Sequence, residues 1–400
     1  MPMRREKFTT RPGWLSYQAL LWVGGLATLS AVGCTTVAPS TVTGSAPSPS
    51  PSAAPTATAV AHEPDVVRQG NVGTAFSTWI ARDRGYFREV GIDLQDEPFA
   101  SGAQMTPLLA SGQLDVGTTS IQAAFFNAVA RGVRQRLVVD KGHQQRGTAT
   151  SILAVRADLV PPSGTLPLPE IRGRPIAVAS DPKAGGQGFL LARMLGTVGL
   201  TLDDVDWKII PYRDMPDLVA NRAVDGAVLV EPFYTLSIQR APLVMWQNLS
   251  DHYDGQQTAA YVFSEQFITQ RPDVARRWMV ANLRGVRVVR GVCADSRRRR
   301  RWMVANLRGV RDYYEWQRRG QPADDLAELL ARATGLPIDL VTKAQWEHMN
   351  PDGYLNLAAI EADQRQLLEW GAIQQLVPLD QVVDHQFVDY ALGQLGRYPR

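Results

Sequence analysis

Strand-like and helix-like segments alternate along the chain from Val66 onwards, and this alternation restricts the fold more than any other feature of the sequence. The run VVRQGNV predicts a strand, and STWIARDRG predicts a helix that begins at Ser77 or Thr78 and ends at Gly85. The segments GIDLQDEPF, AQMTPLLASG, LDVGTT, IQAAFFNAVARG and RLVVDKG continue the pattern. Strands separated by helices at this spacing indicate βαβ units and largely parallel sheets, so the predicted fold class is α/β.

The alternation starts again after a proline-rich turn, with RPIAVAS as a strand and AGGQGFLLARMLGTVG as a glycine-rich turn that leads into a helix. The segments LLASGQLDVGTTSIQAAF and DLVANRAVDGAVLVEPFY share a short helix, a turn, an aspartate, an apolar strand and a polar end. Two similar α/β lobes in one chain leave a cleft between them. Open α/β sheets bind ligands at the carboxyl ends of their strands, so this cleft is the predicted site.

The beginning of the chain predicts an export signal followed by a tether. Basic residues precede an apolar run that is shorter than the ~20 residues of a transmembrane helix, and residues 1–33 therefore match a secretory signal peptide. AVGC at residues 31–34 resembles the bacterial lipoprotein box, which implies lipidation of Cys34; a plain secretory signal is the alternative. Arg4 and Arg5 leave both Sec and twin-arginine export open. Residues 34–65 are rich in Ser, Thr, Pro and Ala and predict a disordered spacer.

Charge and cysteine usage exclude several classes of function. The 400-residue chain has a net charge of +3, and residues 1–33 hold four basic residues against one acidic residue, which accounts for all of it. A neutral body argues against nucleic acid as a partner. Cys34 and Cys293 cannot form a disulfide framework, and the five histidines are scattered, so we expect no metal site and no cofactor.

Four segments carry a resemblance to a known family: FSTWIARDRGYFREVGIDL, LLASGQLDVG, LPEIRGRPIAV and VANRAVDGAVLVEPF. They resemble the substrate-binding proteins of nitrate, taurine and sulfonate ABC importers. Relatives of that family bind thiamine-pyrimidine precursors or riboflavin. The resemblance covers residues 66–254 well and the remainder more loosely. It implies a two-lobed fold of the type II periplasmic-binding-protein kind, with residues 66–154 and 256–400 in lobe 1 and residues 155–255 in lobe 2. It also implies that the chain crosses between the two lobes near residues 151–155 and 261–263. The C-terminal helices would pack on the first lobe, and Tyr86 and Phe87 would have a packing role.

The same resemblance implies a monomeric, extracytoplasmic protein that is held on the cell membrane by its lipid and delivers a small ligand to an ABC permease. The ligand would be a sulfonate, a nitrate-like anion or a pyrimidine- or flavin-type heterocycle. Two alternatives are an enzyme on the same fold, of the pyrimidine-synthesis or dehydratase type, and a sensor module of a membrane receptor. The sequence contains no phosphate loop, GxSxG or HExxH motif. It offers only the isolated Glu231 and Asp254 as acid–base candidates, so no catalytic residue is predicted.

Polar residues at strand ends and helix starts are the candidate ligand contacts, because free backbone N–H groups there favour anionic or carbonyl groups. Aromatic residues among them can stack on a flat ligand. The candidates are Phe76, Ser77, Thr78, Ser101, Gly102, Thr119 and Ser120 in the first lobe, and Ser180, Gly186, Gln187, Tyr212, Arg213 and Glu231 in the second. The serines and threonines have an alternative role as helix N-caps. Glu231 has an alternative role in ordering the turn between its strand and the next helix.

The sequence RRWMVANLRGVR occurs twice, at residues 276–287 and 300–311. Two copies are too few for a repeat architecture. Removal of one copy with its spacer would leave a continuous amphipathic helix, so we interpret the repeat as a tandem duplication, with an error in the sequence as the alternative. Cys293 lies in the spacer, which makes it a poor functional candidate.

Overall fold

The computed structural model describes residues 63–99, 102–164, 166–286 and 324–398. The predicted signal peptide, nearly all of the spacer including Cys34, the candidate Ser101, Cys293 and the second copy of the repeat lie outside these residues. The predictions made for them therefore stay predictions.

Two five-stranded sheets organise the described residues. The strands are β1 (Asp65–Asn71), β2 (Ile92–Pro98), β3 (Val116–Ser120), β4 (Gln135–His143), β5 (Ser151–Arg156), β6 (Pro175–Val178), β7 (Asp206–Ile209), β8 (Gly226–Val230), β9 (Leu243–Asn248) and β10 (Gln257–Ser264). The first sheet has the order β2-β1-β3-β10-β4 and the second has the order β7-β6-β8-β5-β9. Each sheet has one strand antiparallel to its neighbours, β10 in the first and β5 in the second. This mostly parallel arrangement in two lobes confirms the predicted α/β class.

Helices cover the sheets. They are α1 (Phe76–Asp83), α2 (Tyr86–Glu89), α3 (Gly102–Ala110), α4 (Ala123–Ala130), α5 (Gln187–Gly196), α6 (Met215–Ala220), α7 (Phe233–Ser237), α8 (Glu265–Gln270), α9 (Pro272–Val286), α10 (Asp324–Thr334), α11 (Ile338–Val341), α12 (Leu357–Glu369), α13 (Leu379–Val382) and α14 (Gln386–Leu395). Short 3-10 turns lie at Ala157–Leu159, Leu168–Ile171, Pro182–Ala184, Leu202–Asp204 and Leu249–His252. Within the described part of the chain, every helix is too short or too polar to cross a bilayer.

The core of the first lobe is built around Trp278 of α9, which is fully buried. Its ring lies 5.4 Å from that of Tyr261 and 5.1 Å from that of Phe263, both on β10. Phe387 of α14 packs edge-on against Phe263 at 5.2 Å. A C-terminal helix is therefore part of the first-lobe core, as predicted. Edge-to-face pairs of this kind stabilise beyond the apolar area that they bury.

The segment WIARDRGYFREVGIDL forms the predicted helix, turn and strand. Gly85 separates α1 from α2 with a φ of +76°, and Gly91 precedes β2 with a φ of +69°. Both values suit glycine, which has no Cβ to clash in this region of backbone space. Tyr86 and Phe87 are 1% and 2% exposed, which confirms their role in the core.

The chain crosses between the sheets at residues 144–150 and 249–256, earlier than the predicted crossings in both cases. The strand β5 belongs to the second sheet, so residues 151–154 move from the predicted first lobe to the second. All residues of β5 are buried, and the strand pairs with β8 on one side and β9 on the other. An apolar strand that is buried on both faces needs this central position. The polar residues 144–150 that precede it suit a connection between the two lobes.

Candidate ligand-binding cleft

The two lobes touch where the loop after β3 meets the turn before α5. The Gly186 N–H donates to the carbonyl oxygen of Ile121 at 3.2 Å, and Gln122 forms an isolated bridge with Gly185. An ideal Cβ on Gly185 would lie 3.0 Å from both Ile121 O and Gln122 Cα, and its φ is +112°. Glycine therefore permits a close approach of the two backbones. The segments that follow the carboxyl ends of β3 and β6 therefore meet here, beside the predicted cleft.

An apolar contact joins the lobes beside this point. Phe189 of α5 stacks on Trp370, which follows α12, with ring centroids 5.5 Å apart and an angle of 16° between the rings. Phe189 is also buried in one cluster with Ile121 and Phe125 of the first lobe. The second lobe is thus in contact with both the sheet and a C-terminal helix of the first.

The predicted residues at the start of α1 are bonded within the first lobe. The Ser77 hydroxyl lies 3.0 Å from the Tyr261 hydroxyl, and Thr78 Oγ1 accepts from Gln69 Nε2 at 3.2 Å. Phe76 is buried and packs edge-on against Trp346 at 4.8 Å. Their ligand contacts remain predictions, and the structure adds a packing role for each.

The predicted residues at the end of β3 lie close to one another. Thr119 is buried, and its hydroxyl donates to the carbonyl oxygen of Ser120 at 3.0 Å. Gly102 lies directly against it, since an ideal Cβ there would be 3.0 Å from Thr119 Oγ1. Ser120 is exposed at the strand end. The structure therefore brings Gly102, Thr119 and Ser120 together at the edge of the first sheet that borders the cleft.

In the second lobe, Gln187 and Tyr212 form a pair. The Tyr212 hydroxyl donates to Gln187 Oε1 at 3.1 Å, and the Tyr212 ring stacks on Phe233 at 4.9 Å. Gln187 Nε2 is buried and has no hydrogen-bond partner among the described residues. The other two candidates here, Ser180 and Arg213, are exposed. A buried donor without a partner costs free energy unless a ligand or water completes it, so Gln187 is the strongest predicted contact.

Glu231 bonds to the helix that follows it. Its carboxylate accepts from the Thr235 N–H at 3.1 Å and from the Thr235 hydroxyl at 2.9 Å. Burial raises the pKa of Glu231, and hydrogen bonds from Thr235 and from the Gln345 backbone oppose the rise. These are the contacts of a residue that orders the turn, and its predicted contact with a ligand remains a prediction.

A C-terminal segment (residues 345–350) lies beside the cleft, although no sequence pattern indicated it. His143 N–H at the end of β4 donates to His348 O at 2.9 Å, and the Asn350 N–H donates to the Asp140 carboxylate at 2.6 Å. Gln345 accepts from the Ala149 N–H at 2.6 Å in the first crossing. The segment therefore contacts the first sheet and a crossing, and through Gln345 also reaches Glu231 of the second lobe.

Asp140 anchors this segment. Its carboxylate is 1% exposed and accepts from the Gly142 N–H at 2.8 Å, from Gln257 Nε2 at 2.7 Å, from the Asn350 N–H, and from His143 Nδ1 at 2.8 Å. Burial lowers the pKa of His143, but the Asp140 charge and hydrogen bond outweigh it, so the pKa is raised. Burial and the His143 charge lower the pKa of His348 to about 4. A buried carboxylate with this number of donors is well satisfied and fixes the geometry around it.

Two charged residues near this edge of the first sheet are not among the predicted contacts. Burial lowers the pKa of Lys141, and the charges of Glu347 and Asp140 oppose this change. Burial raises the pKa of Glu347, and the Lys141 charge opposes it. Burial raises the pKa of Tyr212 in the second lobe, and the Glu347 charge adds to that rise. Lys141 could have been identified as a candidate, because it is a charged residue inside the apolar strand RLVVDKG. The segment QWEHMN shows no comparable pattern that would single out Glu347.

Two α/β lobes joined by two crossings, with the carboxyl ends of their strands facing a polar cleft, define a two-lobed ligand-binding protein fold. The family model described as the NMT1-like family matches residues 70–301, and the chain belongs to this family. None of the curated proteins that were compared matches the chain.

Solved structures of ABC-importer binding proteins share this fold. The ligand-binding component of an ABC-type import system from Staphylococcus aureus aligns with a TM-score of 0.61 at 10% identity, covering 82% of this chain and 99% of that one. The aliphatic sulphonate binding protein SsuA from Escherichia coli aligns at 0.59 and 15%, covering 80% and 92%. The nitrate-binding protein NrtA from Synechocystis aligns at 0.60 and 13%, covering 84% and 90%. The desulfurization enzyme DSZB also shares the fold, at 0.52 and 16%, covering 82% and 99%. The type II fold predicted from the sequence is confirmed.

Proposed function

We propose that this protein is a lipid-anchored, extracytoplasmic solute-binding protein that captures a small organic ligand and delivers it to the permease of an ABC importer. The observation that carries the proposal is the contact between Gly186 and Ile121 across the cleft. It is one of several contacts between two lobes that two crossings link, an arrangement that suits a protein which closes on a ligand. Family membership and the fold shared with importer binding proteins support the same function.

The anchoring part of the proposal rests on the sequence. A signal-like segment precedes Cys34, and a Ser-, Thr-, Pro- and Ala-rich stretch separates that cysteine from the first strand. A lipid on Cys34 and an extended spacer would keep the binding lobes near a permease in the same membrane. We propose that the protein works as a monomer, since each of the two lobes has its own sheet and core.

Capture is a hinge motion whose equilibrium a ligand shifts by binding both lobes. Gln187 offers a hydrogen-bond donor from the second lobe, and Ser120 lies at the facing edge of the first. Donors favour ligands with acceptor oxygens, which sulfonates, nitrate and the carbonyl groups of pyrimidines and flavins all carry.

Thermal-shift screening of the full chain tests the proposal. The probes are alkanesulfonates, nitrate, aminopyrimidines and riboflavin. A ligand at 100 times its Kd should stabilise the protein by about 2.7 kcal/mol and raise its melting temperature. Binding should also lower the radius of gyration as the lobes close. A screen in which no probe of any class changes the melting temperature would contradict a solute-binding role.

One observation favours an enzyme as a second candidate. Lys141 and Glu347 lie near each other with pKa values shifted in opposite directions, the lysine downwards and the glutamate upwards, mainly by burial. Such pairs serve in acid–base catalysis. A binding protein returns its ligand unchanged, whereas an enzyme does not. Mass spectrometry of an identified ligand after prolonged incubation with the full chain separates the two functions.

A further inference from the structure

The helix α5 of the second lobe packs on two sides. Leu190, Leu191 and Met194 belong to the apolar core of the second lobe. Phe189 belongs instead to a cluster built mainly from first-lobe residues, and it is only 2% exposed. A helix that serves one sheet has a single apolar face. The second buried side of α5 therefore indicates that this helix also holds the two lobes together.

Phe189 meets the first lobe at Trp370, the residue that follows α12. The two rings are stacked, with centroids 5.5 Å apart and an angle of 16° between them. Trp370 packs against the first-lobe cluster that contains Phe189 and against the core of the second lobe. A stacked aromatic pair stabilises a contact beyond the area that it buries. The stack thus connects the cores of both lobes at a point outside the two crossings.

A second contact lies one helical turn further along α5. Arg193 follows Phe189 by four residues, so both side chains leave the same side of the helix. The guanidinium carbon of Arg193 lies 3.9 Å from the ring centroid of Tyr253 in the second crossing. Tyr253, like Trp370, packs against the cores of both lobes. We call Phe189, Arg193, Tyr253 and Trp370 the interlobe latch.

The latch favours the arrangement in which the lobes touch, with the Gly186 N–H bonded to Ile121 O. Moving the lobes apart at this point would expose the Phe189 ring and much of Trp370 to water. The exposure of one buried phenylalanine changes an equilibrium by at least about tenfold. The open and closed forms of a hinged protein commonly differ by an amount of this size. A contact of this strength can therefore decide which form predominates.

We propose that the interlobe latch keeps the ligand-free protein mostly closed and thereby raises its affinity for ligand. The latch acts through the position of the lobes and needs no contact with the ligand. When only a fraction of the protein is closed, a ligand that binds the closed form has an apparent affinity reduced by that fraction. The effect on affinity rests on the proposed solute-binding function, whereas the effect on the lobes can be measured without any ligand.

Pulsed electron paramagnetic resonance on the ligand-free full chain measures the lobe positions. Spin labels are placed at Glu97→Cys and Lys208→Cys, which are exposed on the outer strands β2 and β7 of the two sheets. The two native cysteines are replaced by alanine in this background. Trp370→Ala should move most of the distance distribution to longer values and widen it. Leu368→Ala, at an exposed position in α12, is the matched control and should leave the distribution unchanged.

A double variant separates the latch from a general loss of stability. Phe189→Ala removes the same stack from the other lobe. The variant with both substitutions should therefore show the distribution of either single variant, because independent effects would add. Urea unfolding checks that each variant folds. Where an alanine variant does not fold, Trp370→Leu and Phe189→Leu still remove the stack while they retain an apolar side chain.

Calorimetry then measures the effect on binding. The probe is the compound among the alkanesulfonates, nitrate, aminopyrimidines and riboflavin that raises the melting temperature most. Trp370→Ala and Phe189→Ala should each lower the affinity for it at least about fivefold, because less of the protein is closed. Leu368→Ala should bind it as the wild type does.

Three results would overturn the inference. They are an unchanged distance distribution in both single variants, additive effects in the double variant, and open lobes with unchanged affinity for the probe. Failure of the solute-binding function has a different signature. If the latch variants open but the wild type binds no probe, the hold of the latch on the lobes is supported, whereas the binding function and the effect on affinity are rejected.

Discussion

The Ser250 hydroxyl donates to Gln144 Oε1 at 2.7 Å, and this bond joins the two segments that cross between the lobes. Gln144 is 1% exposed and also accepts from the Thr150 hydroxyl at 3.0 Å. Its Nε2 donates to the Ser151 and Thr258 hydroxyls at 3.2 Å each. One amide side chain therefore satisfies hydroxyl groups from both crossings and from the strands that follow them.

Replacement of Gln144 should destabilise the protein strongly. Gln144→Leu leaves buried hydroxyl groups without their partner, at a cost of about 1–3 kcal/mol for each group left unsatisfied. We expect a loss of at least about 2 kcal/mol in the free energy of unfolding, measured by urea denaturation. The control is Gln145→Leu at the exposed neighbouring position, which should change it by less than about 0.5 kcal/mol. Equal effects of the two variants would show that the network around Gln144 contributes nothing.

Gly185 controls how closely the lobes approach. A methyl group at this position meets the backbone of Ile121 and Gln122, and the positive φ disfavours any L side chain. Gly185→Ala should lower ligand affinity at least tenfold and increase the radius of gyration of the liganded protein in small-angle scattering. Gly196→Ala is the control, since a Cβ there meets nothing within 4 Å. Unchanged affinity in Gly185→Ala would mean that this contact does not form in the ligand-bound state.

Substitution of Glu231 distinguishes a structural role of this residue from a role in ligand binding. The sequence alone predicts that Glu231→Ala lowers affinity more than tenfold with little change in the melting temperature of the empty protein. The bonds to Thr235 predict in addition a stability loss of about 1 kcal/mol, the usual net contribution of a hydrogen bond. Melting of the empty protein and titration of the same variant with an identified ligand measure both effects. Lower stability with unchanged affinity would remove Glu231 from the binding site.

Asp363 should make stability depend on pH. Burial raises its pKa from 3.8 to about 7, against the opposing effect of hydrogen bonds from Gln256 and Tyr253. Between these two values the folded protein keeps a proton that the unfolded chain loses. The stability contributed by this group is therefore complete below about pH 4 and falls as the pH rises to about 7, by at most about 1.4 kcal/mol per unit. Asp363→Asn should lack this decline when urea unfolding is compared at pH 4, 5.5, 7 and 8. Parallel pH profiles for the two proteins would contradict the assignment.

Anchoring is tested with the two cysteines. Cys34→Ala should release the protein from the membrane fraction, because the proposed lipid is attached to that residue alone. Cys293→Ala, the matched control, should remain in the membrane fraction. A Cys34→Ala protein that stays bound through a high-salt wash would exclude the lipoprotein interpretation.

The sequence predicted the fold from patterns that act over short distances. Alternating strands and helices, the glycines at 85 and 91, and the core positions of Tyr86 and Phe87 were all visible, because local backbone preference and periodicity determine them. The crossings were misplaced by a few residues, since SILAVR can be assigned to either lobe until its hydrogen-bonding neighbours are known.

The cleft residues were harder to predict because their contacts depend on neighbours that are distant along the chain. Gln187 and Tyr212 were identified from their positions at element ends, but their pairing depends on tertiary structure. Glu347 lies beside Gly142 because the bond between His143 and His348 joins parts of the chain that are far apart in sequence. Lys141 depends on a bulge that only the register of β10 reveals. The periodicity of a single sequence indicates neither the bond between His143 and His348 nor the bulge at Lys141.

The position of β10 between β3 and β4 imposes an order on folding. The chain delivers β1 to β4, then every strand of the second sheet, and only then the strand that completes the first. The second lobe can thus finish its sheet from one continuous stretch of chain, whereas the first must hold a gap one strand wide. Until β10 arrives, β3 and β4 expose unpaired edges that other chains can bind. Pairing across so long a separation is slow, so completion of the first lobe should limit the rate at which the newly made protein reaches its native state.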